Sequence, residues 1–388
     1  MTDVPTTPPT LATVLREWGR IGCIGFGGPP THIRLLRDLC VERERWLTPV
    51  EFEDAVAACN LLPGPASTQL AIFCAWRVRG NRGALVGGAA FIVPGLIVIL
   101  ALAALFLAGE PPRAVLAAGA GAGSAVAAVA IHAASGLMPA SWHRAEHAGR
   151  AGRLRWIGYV AAGLLAAATI GPWLVLVLLA CGAFEATRLA RGRIPGLVPL
   201  PVLGIGTLGA GTLTSLVWVA FKVGALSYGG GFVIIPLMQA DAVNHYHWMS
   251  GAQFLNAVAL GQITPGPVVQ TVAVVGYAAA GLVGGVLAAI VAFSPSFGFV
   301  LLGARRFDEL RADVRVRAFL DGAGPAAIGA IVGSAIALAR ALTEPWQYAV
   351  LGGAAILLLA LRRGVVLTLF LSAGAGIVLV ALGLALPH

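Results

Sequence analysis

Two short phrases set the same unusual chemistry at two points of the chain, NLLPGPAST at residues 60–68 and QITPGPVVQ at 262–270. Each holds a glycine between two prolines, Pro63-Gly64-Pro65 and Pro265-Gly266-Pro267, among uncharged hydrogen-bonding side chains. These are Asn60, Ser67, Thr68 and Gln69 in the first copy, and Gln262, Thr264, Gln270 and Thr271 in the second. Proline removes a backbone donor and clashes with the preceding turn, while glycine tolerates the bend. A helix therefore stops at each phrase and a new one starts at Ala66 or Val268. A helix N-terminus offers free N–H groups and about half a positive charge, so the chemistry available here is anion binding by neutral donors. The nearby bases are His32, Arg34, Arg77 and Lys222. For Arg34 and Arg77 a role at the membrane rim competes with a role in the site. Any proton relay would need Asp54, Asp241 or His32, because other acids near the breaks are scarce.

The elements that position these groups can be read from local signals. Thr48 is followed three residues later by Glu51, and Ser250 by Gln253, the pattern of a capping box, so helices start at both points and run to the Pro-Gly-Pro. One element earlier, Gly27-Gly28-Pro29 and Gly229-Gly230-Gly231 interrupt apolar runs too short to cross a bilayer and return, which suits re-entrant hairpins. Irregular backbone at membrane depth is tolerated only where protein buries it or where it lines a watery cavity. Paired breaks in corresponding positions of two halves point to a transporter's central site.

Composition supports a membrane setting: 58% of the 388 residues are hydrophobic and 11% are charged. Of the 26 basic residues only Lys222 is a lysine, and the net charge of +9 is concentrated in loops, with no nucleic-acid-binding module. Residues 1–10 read as a disordered cap with no cleavable signal peptide. Five cysteines without CxxC spacing imply neither disulfides nor a metal site, and no cofactor is expected. An enzyme would need a nucleophile with its base, or a metal set such as HExxH, and the sequence has neither.

An offset of 202 residues lays the second half over the first from Arg20 to Phe91 without a gap, matching Gly22 with Gly224, Gly83 with Gly285 and Phe91 with Phe293. The chain is a tandem duplication. The first copy carries Arg34, Arg37, Arg43, Arg45, Arg77, Arg79 and Arg82, whereas Pro236 to Gly284 contain no Lys or Arg. Basic loops mark the cytoplasmic side, so the two copies are expected to face opposite sides of the membrane. Apolar stretches at 84–108, 112–136, 156–170 and 172–188 recur at 283–304, 320–342, 346–361 and 365–386, with one more at 198–218. A single linking span inverts the second copy. The expected fold is an all-α polytopic membrane protein, an inverted-topology tandem repeat with broken, re-entrant helices and about nine spans. Its expected parts are the cap 1–10, a first repeat 11–195, a linking helix 196–220 and a second, inverted repeat 221–388. Gly87-Gly88 and Gly352-Gly353 read as helix-packing pairs.

Residues 26–95, from FGGPPTHIRLLRD through LLPGPASTQLA to FIVPG, closely resemble the amino-terminal domain of the chromate ion transporter family in its long, two-domain form. Residues 226–285, with LSYGGGFVIIP and GQITPGPVVQ, look like the carboxy-terminal domain of the same family. Family motifs carry over onto Phe26, Gly27, Gly28, Pro29, His32, Trp46, Pro63, Gly64, Pro65, Ser67 and Thr68, and onto Tyr228, Gly229, Gly230, Gly231, Pro265, Gly266 and Pro267. Cys59-Asn60 departs from the family's small residue followed by Gln, and Asn60 keeps the amide on a shorter arm. The resemblance implies chromate efflux across the bacterial inner membrane, with resistance to chromate and with sulfate as the related dianion. The implied partners are the anion and the lipid bilayer, the N-terminus is cytoplasmic, and a homodimer is left open. Saturable transport would separate this reading from an anion channel. The two ends differ in one respect: Ser67 and Thr68 have no hydroxyl counterpart at Val269 but do at Thr271.

Overall fold

The computed structural model describes residues 9–61, 64–107, 111–169, 174–190, 211–227, 234–304 and 313–387, and among these every regular element is helical. Local caps set where the helices begin. Thr10 accepts a hydrogen bond from Thr13 N–H at the start of α1 (Leu11–Ile24). The Thr48 hydroxyl accepts from Glu51 N–H at 3.2 Å and the Glu51 carboxylate accepts from Thr48 N–H at 2.9 Å, starting α3 (Pro49–Leu61) as expected. Ser250 and Gln253 form the same reciprocal box before α11 (Gly251–Ile263). The expected cap at 1–10 lies almost wholly outside the described residues.

The first copy opens with two hairpins. After α1 the chain breaks at Gly27 (φ 95°) and Gly28 (φ 75°), a region open cheaply only to glycine, and resumes as α2 (Pro29–Arg37) and a π-helical turn, Asp38–Arg43. Arg43 returns to within 3.7 Å of Glu17, and Trp18 stacks on Trp46 at 6.0 Å. The second hairpin pairs α3 with the start of α4 (Ala66–Phe106), and its base is closed by an ion pair between Arg77 and Glu51. Gly64 at its tip has φ 117°.

α4 is not a single rod. Arg79 (φ −141°, ψ 19°) and Gly80 (φ 63°, ψ −156°) leave helical geometry and the chain reverses. A Cβ on Gly87 would meet Ala75 and one on Gly88 would meet Ile72. Those pairs would be about 18 and 24 Å apart in a straight helix. α12 (Thr271–Gly303) turns back in the same way at Ala280 (φ −152°, ψ 32°) and Gly281 (φ 63°, ψ −156°). The limbs after the turns, 81–106 and 282–303, are about 39 and 33 Å long and long enough to cross a hydrocarbon layer. They run antiparallel, since Gly88 lies against Phe297 while Gly285 lies against Leu100.

These turns correct the expected gapless match. Gly80 and Gly281 are 201 residues apart, as are Pro94 and Pro295, and Gly83 and Gly284, which pack on their own first limbs. Gly22 and Gly224, before the Pro-Gly-Pro, keep the offset of 202. The second copy is one residue shorter than the first after Pro267, where its helix begins with a 3-10 turn, Val268–Gln270, rising about 2.0 Å per residue in place of 1.5. Gly83 therefore matches Gly284 rather than Gly285, Phe91 matches Ala292 rather than Phe293, and Gln69 matches Gln270.

The remaining helices are α5 (Arg113–Ser124), α6 (Val126–His147), α7 (Gly149–Thr169), α8 (Leu174–Ala190), α9 (Thr212–Leu226) and α10 (Ile234–Gln239), the last followed by a π turn, Ala240–His245. α13 (Val314–Arg340), α14 (Pro345–Ala355, extended by a π turn to Ala360) and α15 (Val365–Ala381) complete the chain. α13 packs on α7 and α8, and α15 on α5, so the peripheral helices of each copy lie on those of the other. Small residues allow this. The backbone of Ala326 fills the space beside Gly163, and that of Ser372 the space beside Gly121. Gly87 and Gly88 pack as expected, but Gly352 and Gly353 are exposed and a Cβ on either would meet nothing within 4 Å, because α14 turns them away from its neighbours. α9 packs on α12 as α1 packs on α4. Residues 212–220, expected in the linking helix, thus belong to the second copy's first helix, and 191–210 lie outside the described residues.

Candidate functional site

The hairpin tips of one copy meet the other copy in a buried seam. The N–H of Gly266 (φ 99°) donates to Gly25 O at 3.0 Å, joining the second Pro-Gly-Pro to the first glycine break. His32 Nε2 lies 2.9 Å from the same carbonyl, and Nδ1 lies 3.2 Å from Ser67 Oγ. A carbonyl can only accept, so Nε2 carries the proton, and in the neutral ring the Ser67 hydroxyl donates to Nδ1. His32 is 0% exposed and Ser67 2%, and Phe91 meets the imidazole edge-on at 5.0 Å. Gln270 Nε2 donates to Ile92 O at 2.8 Å, and the Pro265 carbonyl occupies the space beside Gly95. Gly28 approaches Val268 of the same tip.

Local structure explains these placements. Pro65 ends the break and accepts from Thr68 and Gln69 N–H at 2.9 and 3.0 Å, leaving the N–H groups of Ala66 and Ser67 without a backbone acceptor among the described residues. In the second copy the Thr271 hydroxyl donates to Val268 O, which tightens the 3-10 turn after Pro267. Thr68, Gln262, Gln270 and Thr271 are all buried. The described tips thus combine neutral donors, helix ends and no unpaired charge.

Of the candidate bases His32 is part of this seam, whereas Arg34 is exposed and Arg77 and Lys222 are paired with acids. Arg77 and Glu51 are 41% and 40% exposed at the hairpin base. Burial works to raise the Glu51 carboxyl, but hydrogen bonds from Thr48 and the Arg77 guanidinium outweigh it and hold it below the ordinary glutamate value. Lys222 Nζ is 2.6 Å from Asp241 Oδ2, with both side chains largely buried. Asp241, a candidate relay group, is therefore held in an ion pair. Glu185 accepts from Tyr159, Arg155 and Arg188. Pro63, Gly229, Gly230, Gly231 and the side chain of Asn60 lie outside the described residues.

Sequence reasoning missed four residues, two in this seam and two at the corresponding positions of the other copy. Gly25 and Gly95 act through their backbones, and Ser227 and Ser296 are fully buried hydroxyls. Ser227 is the offset-202 counterpart of Gly25 and was open to detection. Ser296 is the counterpart of Gly95 only at offset 201, which a gapless alignment hides.

Comparison with known proteins decides the family. One family model, Chromate transporter, matches residues 12–185 and again 214–379. The chain belongs to the chromate transporter family. Among chromate transporter relatives, it is 32% identical to the "Chromate transport protein" of Cupriavidus metallidurans over 87% of this chain and 85% of that one. It is 27% identical to the protein of the same name in Pseudomonas aeruginosa, over 88% and 84%. No solved structure matches the chain. The double match agrees with the internal duplication, and each match contains one Pro-Gly-Pro of the chromate transporter motifs.

Proposed function

We propose that the chain exports chromate from the bacterial cytoplasm across the inner membrane and so confers chromate resistance. The observation that carries this reading is the meeting of the two copies at broken, buried tips, where the Ala66 and Ser67 N–H groups at the start of α4 lack backbone acceptors among the described residues. Chromate is a tetrahedral oxyanion, largely doubly charged near neutral pH. Helix ends and neutral donors suit such an ion without trapping it as buried arginines would.

Two copies of opposite orientation supply alternating access. The antiparallel crossing limbs and the arginine-rich base of the first hairpins support this orientation, with the N-terminus and the first hairpin bases cytoplasmic. Rocking one copy against the other would expose the seam to each side in turn. Moving a −2 ion out toward the positive side of the membrane gains about 2.3 kcal/mol per charge per 100 mV, or ~4.6 kcal/mol at 100 mV. That corresponds to roughly a thousandfold accumulation outside.

The test is chromate uptake into everted vesicles, with sulfate and molybdate as competitors. Saturable uptake driven by the potential is expected. Uptake that persists after the potential alone is collapsed, with a pH gradient kept, would instead indicate proton coupling. Absence of any chromate flux would overturn the reading, and flux without saturation would make the chain a channel.

A further inference from the structure

The two seams use corresponding positions but different side chains. In the first, Gly25 and Gly95 of copy one both lie against residues 265–270 of copy two. The corresponding positions in the second seam are Ser227 and Ser296, which the correspondence sets against residues 64–69. Gly64 is there near Gly224, whose carbonyl would be 3.5 Å from a Cβ on Gly64. The polar groups that close the first seam are also exchanged: His32 corresponds to Ile234, and Ser67 to Val268 at offset 201 or Val269 at 202.

In the first seam His32, Ser67, Gly25 and Gly266 are paired with one another, and the atom left without a partner on Gln270, Oε1, is an acceptor that an anion would not engage. The second seam differs in its donors. Ser227 Oγ, Ser296 Oγ and Thr68 Oγ1 belong to residues 0% exposed, and none has a hydrogen-bond partner among the described residues. Buried hydroxyls are nearly always paired, so three unpaired ones, which the correspondence of the copies assigns to one seam, call for a polar occupant. Thr68 lies in the first turn of α4, where the Ala66 and Ser67 N–H groups lack backbone acceptors among the described residues.

We propose that the second seam is the oxyanion site and the first a latch. Ser227, Ser296 and Thr68 donate hydrogen bonds to a tetrahedral dianion seated over the N-terminus of α4. His32 and Ser67 hold the opposite seam shut. All three donors are neutral, so the ion can be bound and released, and an ion whose oxygens only accept is favoured over one that must also donate. This inference rests on the reading of the chain as an oxyanion exporter.

The test measures binding and flux separately. Purified wild type, Ser227→Ala, Ser296→Ala and the double variant are titrated with chromate, sulfate and molybdate, following the shift in melting temperature. Chromate uptake is then measured in everted vesicles. Each single alanine should weaken chromate binding and raise KM about tenfold, with the melting temperature without anion unchanged. His32→Asn should lower kcat more than it raises KM. Wild-type affinity and KM in the double variant would overturn the proposal. If an alanine variant fails to fold, Ser227→Gly and Ser296→Gly, which install the first seam's residues, carry the same expectation. Wild-type protein that binds an oxyanion through these serines without transporting it would sink the exporter reading and leave the site standing. Wild-type protein that binds none of the three anions would remove the site as well.

Discussion

Gly266 donates its backbone N–H to the carbonyl of Gly25, a residue 241 positions earlier in the chain, at 3.0 Å. The bond joins a tip of one copy to a tip of the other, and His32 shares its acceptor. Movement of one copy against the other must break or shift it.

The glycines at the tips are the most sensitive positions. Gly64 (φ 117°) and Gly266 (φ 99°) occupy conformations that side chains rarely adopt, and a Cβ on Gly64 would fall 2.5 Å from the Gln69 amide. Gly64→Leu and Gly266→Leu should each abolish chromate flux while the protein still reaches the membrane, measured by vesicle uptake beside membrane-fraction abundance. Wild-type flux in both would reduce the breaks to kinks.

His32→Phe keeps a ring against Phe91 but removes both hydrogen bonds, leaving Ser67 Oγ buried without the partner it has now. The expected loss is about 1–3 kcal/mol of stability, read from denaturant unfolding in detergent. An unchanged midpoint would mean that the latch contributes nothing.

Lys222 and Asp241 are predicted to act as a structural pair. Lys222→Met alone leaves a buried, unpaired carboxylate and should cost about 3–5 kcal/mol. The double variant Lys222→Met with Asp241→Leu should recover most of that loss and still carry chromate. Restored stability with no transport would place Lys222 in contact with the anion.

Glu51 supplies a pH signature. Its carboxyl is held below the ordinary value in the folded protein, so its contribution to stability is present above the ordinary glutamate range and lost as pH falls through the lowered value. Because Arg77 and Glu51 are about two-fifths exposed, screening keeps the pair's contribution under ~1 kcal/mol. Glu51→Gln should flatten this acid limb of the stability profile, and an unaltered limb would assign it to other carboxylates.

Orientation can be checked with reporters. Fusions at Pro111 and Asn244 should both read as external if the copies are inverted. A cytoplasmic reading at Asn244 would end the alternating-access scheme.

The sequence by itself determined the duplication, the helix starts at Thr48 and Ser250, and the breaks at Pro63-Gly64-Pro65 and Pro265-Gly266-Pro267. These follow from caps, proline and glycine acting over a few residues. It also marked His32, Ser67, Gly266 and Gln270, which the fold brings into one seam. It did not show the reversals at Gly80 and Gly281: the apolar run continues through Gly281, and Arg77, Arg79 and Arg82 mark a polar interval around Gly80 without fixing the direction of the chain through it. Nor could it show that Lys222 is neutralised by Asp241, or that Ser227 and Ser296 are buried without partners among the described residues while Gly25 and Gly95 are filled by the opposite tip. Those outcomes depend on which distant surfaces pack together. Only the tertiary structure decided them, because hydrogen-bond satisfaction at a seam is a property of two segments rather than of either one.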